Sequence, residues 1–180
     1  MIKLLYFMGL VIFTSFSYPP DFEKKIDAAI KRVWVVNEFY TNKIDAADSL
    51  EIELYSIISN DRLLGYYSVN KVNACRMGGC SRPMLSSNSD EFEHFWCLVI
   101  YDRSLKIMRV QILEYNASHG EQICSQGWLK QFNGHSGCDI SYSNDVDAVS
   151  GATISAISLI ERLNYICATF ILLQQKGVIQ

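Results

Sequence analysis

Asp145-Val-Asp-Ala-Val-Ser-Gly-Ala-Thr-Ile-Ser155 is the stretch of this chain whose residue types could do chemistry. Four small residues, Ser150 to Thr153, stand directly before an apolar segment with helical spacing. The first backbone N–H groups of a helix have no partner within it, and its dipole is positive at that end. Such a place suits a phosphate. Gly151 and Ala152 let a bulky ligand or an enzyme approach the backbone, and Thr153 offers a hydroxyl at the mouth. On physical grounds alone the same residues also describe a helix N-cap with a small-residue turn, and both readings stand.

The stretch resembles the FMN-binding domain family found in the C and G subunits of bacterial sodium-pumping quinone reductases and related electron-transfer complexes. That family's signature is Asp, a small residue, a variable one, Ser/Thr, Gly/Ser, Ala and Thr. Asp147, Ala148, Val149, Ser150, Gly151, Ala152 and Thr153 follow it position by position. Upstream, the strand Met108-Arg-Val-Gln-Ile-Leu113 and the segment Gly127-Trp-Leu-Lys-Gln-Phe-Asn-Gly134 are similar to the family's approach to the signature, so the resemblance covers roughly 95–163. One loop departs: Asn116-Ala-Ser-His-Gly120 stands where the family often has Glu-Thr-Pro-Gly.

The resemblance implies FMN carried on Thr153 through a phosphoester bond. It also implies a separate flavin transferase that works from FAD and a divalent metal and reads Asp147, Ser150, Gly151 and Ala152. The implied activity is electron transfer with donor and acceptor proteins, a membrane-associated redox partner among them. Tyr115, Trp128, Phe132 and Tyr142 are the nearby aromatics that could face the isoalloxazine, Trp128 foremost, although each is also a candidate core residue. The alternative from another class is a secreted, disulfide-stapled binding module without flavin, in which Ser150 to Thr153 only starts a helix.

Six cysteines in 180 residues fall below the ~8% share of a small disulfide scaffold. Cys75-Arg-Met-Gly-Gly-Cys80, with His94 and Cys97, makes a Cys/Cys/His/Cys set that a tetrahedral zinc ion would accept. The N-terminus weighs against it. Met1-Ile-Lys3 is a basic start, Leu4 to Phe16 an apolar run, and Ser15 and Ser17 suit a cut before Tyr18, so residues 1–17 read as a secretory signal peptide. The run is short of the ~20 residues of a spanning helix; an uncleaved N-terminal anchor is its other reading. The expected location is therefore the periplasmic or cell-surface side of a membrane. In an oxidising compartment the pair Cys75 and Cys80 reads first as a disulfide. Cys97 and Cys167 read as core thiols, and Cys124 and Cys138 as a staple across the Trp128 turn. His119 and His135 read as solvated loop residues.

The elements that must position these groups follow from composition and periodicity. With 49% hydrophobic and 19% charged residues and a formal charge of -3, residues 18–180 are expected to form a single globular domain. Sixteen basic against nineteen acidic residues, with no Lys/Arg run, leave no footprint for a nucleic-acid backbone. A helix is expected from Phe22 to Phe39, capped by Asp21 and turning Phe22, Ile26, Ala29, Ile30, Val33 and Val36 to one side. A hairpin is expected around Asn60-Asp61 and a second, over Phe92–Tyr101 and Lys106–Tyr115, around Asp102-Arg-Ser-Leu105. A loop with one helical turn at Trp128–Phe132 and a long helix from Ile154 to about Gln175 complete an α+β fold, its sheet largely antiparallel. Peptide mapping of the exported protein without reduction should return a Cys75–Cys80 linked fragment; alkylation of both thiols in native protein would refute the pairing.

Overall fold

The computed structural model describes residues 18–74, 93–136 and 138–179. The expected leader and the Cys75–Cys80 pair lie outside them. Five antiparallel strands form a meander in the order β1 (Tyr40–Lys43), β2 (Glu53–Ser59), β3 (Arg62–Ala74), β4 (Glu93–Asp102) and β5 (Ile107–Tyr115). A short helix, α2 (Gln126–Leu129), follows the sheet and runs straight into a 3₁₀ turn at Lys130–Phe132. Helix α1 (Phe22–Trp34) covers one face of the sheet, and the long C-terminal helix α3 (Thr153–Gln175) packs against the other. The α+β fold with its antiparallel sheet and two flanking helices is as the sequence implies.

Turn chemistry accounts for both hairpins. Asn60 and Asp61 take φ of 49° and 57°, the left-handed pair that a two-residue hairpin turn needs and that Asn and Asp adopt most readily among residues with a side chain. At the second turn the Asp102 Oδ1 accepts the N–H groups of Ser104 (2.8 Å) and Lys106 (2.9 Å). Helices on both faces leave the middle strands buried on both sides, so β3 and β4 carry apolar runs rather than a strict alternation. Tyr66, Val72, Phe95, Cys97, Val99 and Tyr101 belong to the α3 side; Tyr67, Val69, Leu98 and Ile100 belong to the α1 side. Burial pushes the Cys97 thiol up to about 12, which keeps it protonated and inert.

Two expectations need correcting at α1. The helix stops at Trp34 because Val35, 90% exposed, turns left-handed at φ 53° and sends the chain toward β1. Pairing of Tyr40 with Ile58 through Lys43 with Tyr55 holds that departure in place. Asp21 makes no side-chain cap; Phe22 and Glu23 donate instead to the carbonyls of Pro19 (3.0 Å) and Pro20 (3.2 Å).

The cysteine assignment also changes. Cys167 is bonded to Cys138 and is not a core thiol, while Cys124 is free and half-buried. From Leu163 onward the buried apolar positions of α3 are Leu163, Ile166, Phe170 and Leu173. Cys167 sits beside that stripe on the flank that meets 138–140, where Asn164 also donates to Ile140 C=O (2.9 Å) and accepts its N–H (3.0 Å). Counted from Thr153, α3 is long and apolar enough to cross a membrane by length and composition, yet half of its most apolar window is buried within the domain. Because the bond spans 29 residues, its removal should release chain entropy worth about 3–4 kcal/mol in the unfolded state. In a Cys75→Ser, Cys80→Ser background, reduction with a phosphine should therefore lower the thermal midpoint by roughly 10 °C, and adding Cys138→Ser and Cys167→Ser should leave the same midpoint with or without reductant.

Candidate functional site

The signature lies on the surface at the start of α3. Ser150, Gly151 and Thr153 are exposed, while Ala152 is 1% exposed and belongs to the core. A tight turn, with Ala152 N–H donating to Val149 C=O at 3.2 Å, carries Gly151 through φ 78°. Glycine suits that conformation, and the burial of Ala152 limits the next residue to a small one. Thr153 is the first residue of α3, and Ala152 at the N-cap position supplies no side-chain cap. Its first turn therefore offers backbone donors at the positive end of the dipole beside an exposed hydroxyl.

The segment leading in is fixed by its main chain. Asp147 is exposed, but Gln131 Oε1 accepts its N–H and Trp128 Nε1–H donates to its carbonyl, both at 2.8 Å. Two residues on, the Tyr142 hydroxyl accepts the Val149 N–H at 2.8 Å. Upstream, Asp145 Oδ2 accepts the Ser141 N–H at 2.8 Å. The side chains of Asp147, Ala148 and Ser150 are left facing solvent.

The aromatics divide by depth. Trp128 is buried edge-on against the fully buried Phe132, centroids 5.1 Å apart. It supports the signature from beneath, and its indole N–H is already committed to Asp147. Tyr115 stands at the mouth: it stacks on Phe95 at 5.5 Å, donates to His119 C=O at 2.5 Å, and lies 3.0 Å from Ser155 Oγ. Partial burial raises its phenol above the ordinary tyrosine value, and the Ser155 hydrogen bond works against that rise.

The divergent loop 116–120 closes over the first turn of α3. Glu93 accepts from the Ser118 N–H at 2.5 Å and from its hydroxyl, which pins the loop to the head of β4. Gly120, at φ 94°, passes so close to Tyr115 and Ser155 that a Cβ there would stand 2.6 Å from the Tyr115 hydroxyl and 2.7 Å from Ser155 Oγ. Gln122 is the nearest side chain to Gly151, with atoms 3.6–3.7 Å from where a Cβ would be. Sequence reasoning missed Gln131, Ser155 and Glu93. Ser155 and Gln131 lie within the stretches 145–155 and 127–134 already singled out, and Glu93 stands next to His94, but none of the three residue types at its position marks a role. Cys124 does not pair with Cys138 and staples nothing.

The residues present fit a phosphoester: an exposed Thr153 hydroxyl, small neighbours and an uncapped helix start. No group of three or more His, Cys, Asp or Glu side chains is placed to hold a metal among the described residues. Compared with protein-family models and with curated proteins, the chain matches none. Gly120→Ala should destabilise the domain by about 2–4 kcal/mol, combining left-handed strain with overpacking. At Gly134, φ 88°, an added methyl group would meet nothing within 4 Å, so Gly134→Ala should lose only the strain, about 1 kcal/mol. Denaturant melts of the two variants read the contact as their difference.

Proposed function

We propose that this chain is an exported covalent flavin carrier, with FMN held on Thr153 by a phosphoester bond and electron transfer as its role. The observation that carries the reading is the placement of the matched residues. The Asp147 to Thr153 signature falls on an exposed turn at the uncapped start of a 23-residue helix, with the Thr153 side chain outward. The first-turn N–H groups and the helix dipole favour the negative charge of a phosphate at that hydroxyl. Asp147 makes no ion pair among the described residues and is free to be read by a flavin transferase supplying the FMN half of FAD. When bound, a flavin accepts two electrons and passes them on singly. The protein fixes the anchor point, and Tyr115, Gly120 and Ser155 pack the adjoining loop against the helix start. Donor and acceptor would be proteins, one of them membrane-associated.

The second reading, a secreted disulfide-stapled binding module without flavin, is favoured by the Cys138–Cys167 bond, which fits it directly and which flavin attachment does not require. Co-expression with a flavin transferase separates the two. On the first reading, intact mass rises by one FMN less one water, the protein stays yellow after denaturation and washing, and Thr153→Ala loses both. Asp147→Ala, a solvent-facing change worth about 0.5 kcal/mol or less, should keep its thermal midpoint and lose the modification. A colourless wild-type chain of unchanged mass favours the second reading.

A further inference from the structure

Both main-chain polar groups of the exposed Asp147 are held by side chains from a single helical turn. Gln131 and Trp128 are three residues apart, so they project from one side of the α2–3₁₀ segment. One accepts the Asp147 N–H and the other donates to its carbonyl. Trp128 is buried against Phe132 and cannot swing, which makes this end of the clamp rigid. Tyr142 then fixes the Val149 N–H, and the turn at Gly151 with the buried Ala152 fixes the rest of the path to Thr153. Asp147 and Thr153 are left with the rotations of their own exposed side chains, and the main-chain positions from which the carboxylate and the hydroxyl project are set in advance.

We infer that Gln131 is a positioning residue for modification at Thr153, holding the Asp147 peptide plane so that an incoming enzyme meets the acidic side chain and the acceptor hydroxyl in one geometry. The inference rests on the flavin-attachment reading. Preorganisation acts on the encounter, because a partner that binds a fixed segment does not have to order it. Stability is a separate matter: the Gln131 bond lies at the surface, and water can take over the Asp147 N–H when the side chain is removed.

The test is steady-state FMN incorporation by a purified flavin transferase with FAD and magnesium, varying the concentration of folded acceptor. Gln131→Ala should raise the KM for the acceptor about tenfold, leave kcat within about twofold, keep the thermal midpoint within a few degrees, and speed hydrogen exchange at the Asp147 amide. Gln131→Glu retains an accepting oxygen and should return KM close to the wild-type value. An unchanged KM in Gln131→Ala, or a Gln131→Glu variant as impaired as the alanine one, overturns the positioning role alone. If the wild-type chain is not modified at all, the flavin reading falls and this inference falls with it.

Discussion

The seating of α3 on the sheet is the constraint from which the rest of the molecule follows. Phe170 packs between Tyr66 of β3, centroids 5.7 Å apart, and Tyr101 of β4, which meets it edge-on at 4.7 Å. These rings are on the two central strands, where burial on both faces leaves little freedom to shift. The helix rises about 1.5 Å per residue, so a contact at residue 170 determines where Thr153 lies roughly 25 Å away. Asn164 and Cys167 fasten the same helix sideways to 138–140. The position of the exposed signature is thus decided in the core, far from the residues it displays.

A second set of contacts joins that helix start to the sheet edge. Tyr115 is the last residue of β5, Ser155 is in the first turn of α3, and their hydroxyls meet at 3.0 Å. Gly120 lies against both because only a hydrogen fits there. The loop 116–120 is therefore anchored twice, by Glu93 on Ser118 and by Tyr115 on His119. Side-chain hydrogen bonds, not a rigid loop sequence, keep it against the helix.

What was legible in the sequence was what depends on local chemistry. Asn60-Asp61 and Asp102 announce their turns because the conformations they favour are short-range, and α3 starts within one residue of where the small-residue stretch puts it. The end of α1 was not legible. Val35 in a left-handed conformation runs against its own propensity, and only the pairing of β1 with β2 imposes it. β1 itself, Tyr-Thr-Asn-Lys, has no apolar alternation because it is a short edge strand. The partner of Cys138 lies 29 residues away, so the choice between Cys124 and Cys167 waits on which helix flank faces the loop. Trp128 could be picked out as an aromatic near the signature, but that its ring belongs to the core and its edge to Asp147 depends on a contact 19 residues apart. Gln131 has no sequence signal: a glutamine in a helical turn looks like any solvated side chain.

The bond between Cys138 and Cys167 has one further consequence. Everything from 138 to 167, the displayed turn included, lies inside a closed covalent ring. A protease that finds the exposed backbone between Ala148 and Gly151 cuts the polypeptide without parting it. The two pieces stay linked, and the core-facing residues of α3 remain tethered to the sheet they cover. A nicked molecule would migrate as intact until the disulfide was reduced. Surface display and resistance to loss of the C-terminal helix thus coexist in one segment, the exposure belonging to the turn and the retention to the sulfur atoms behind it.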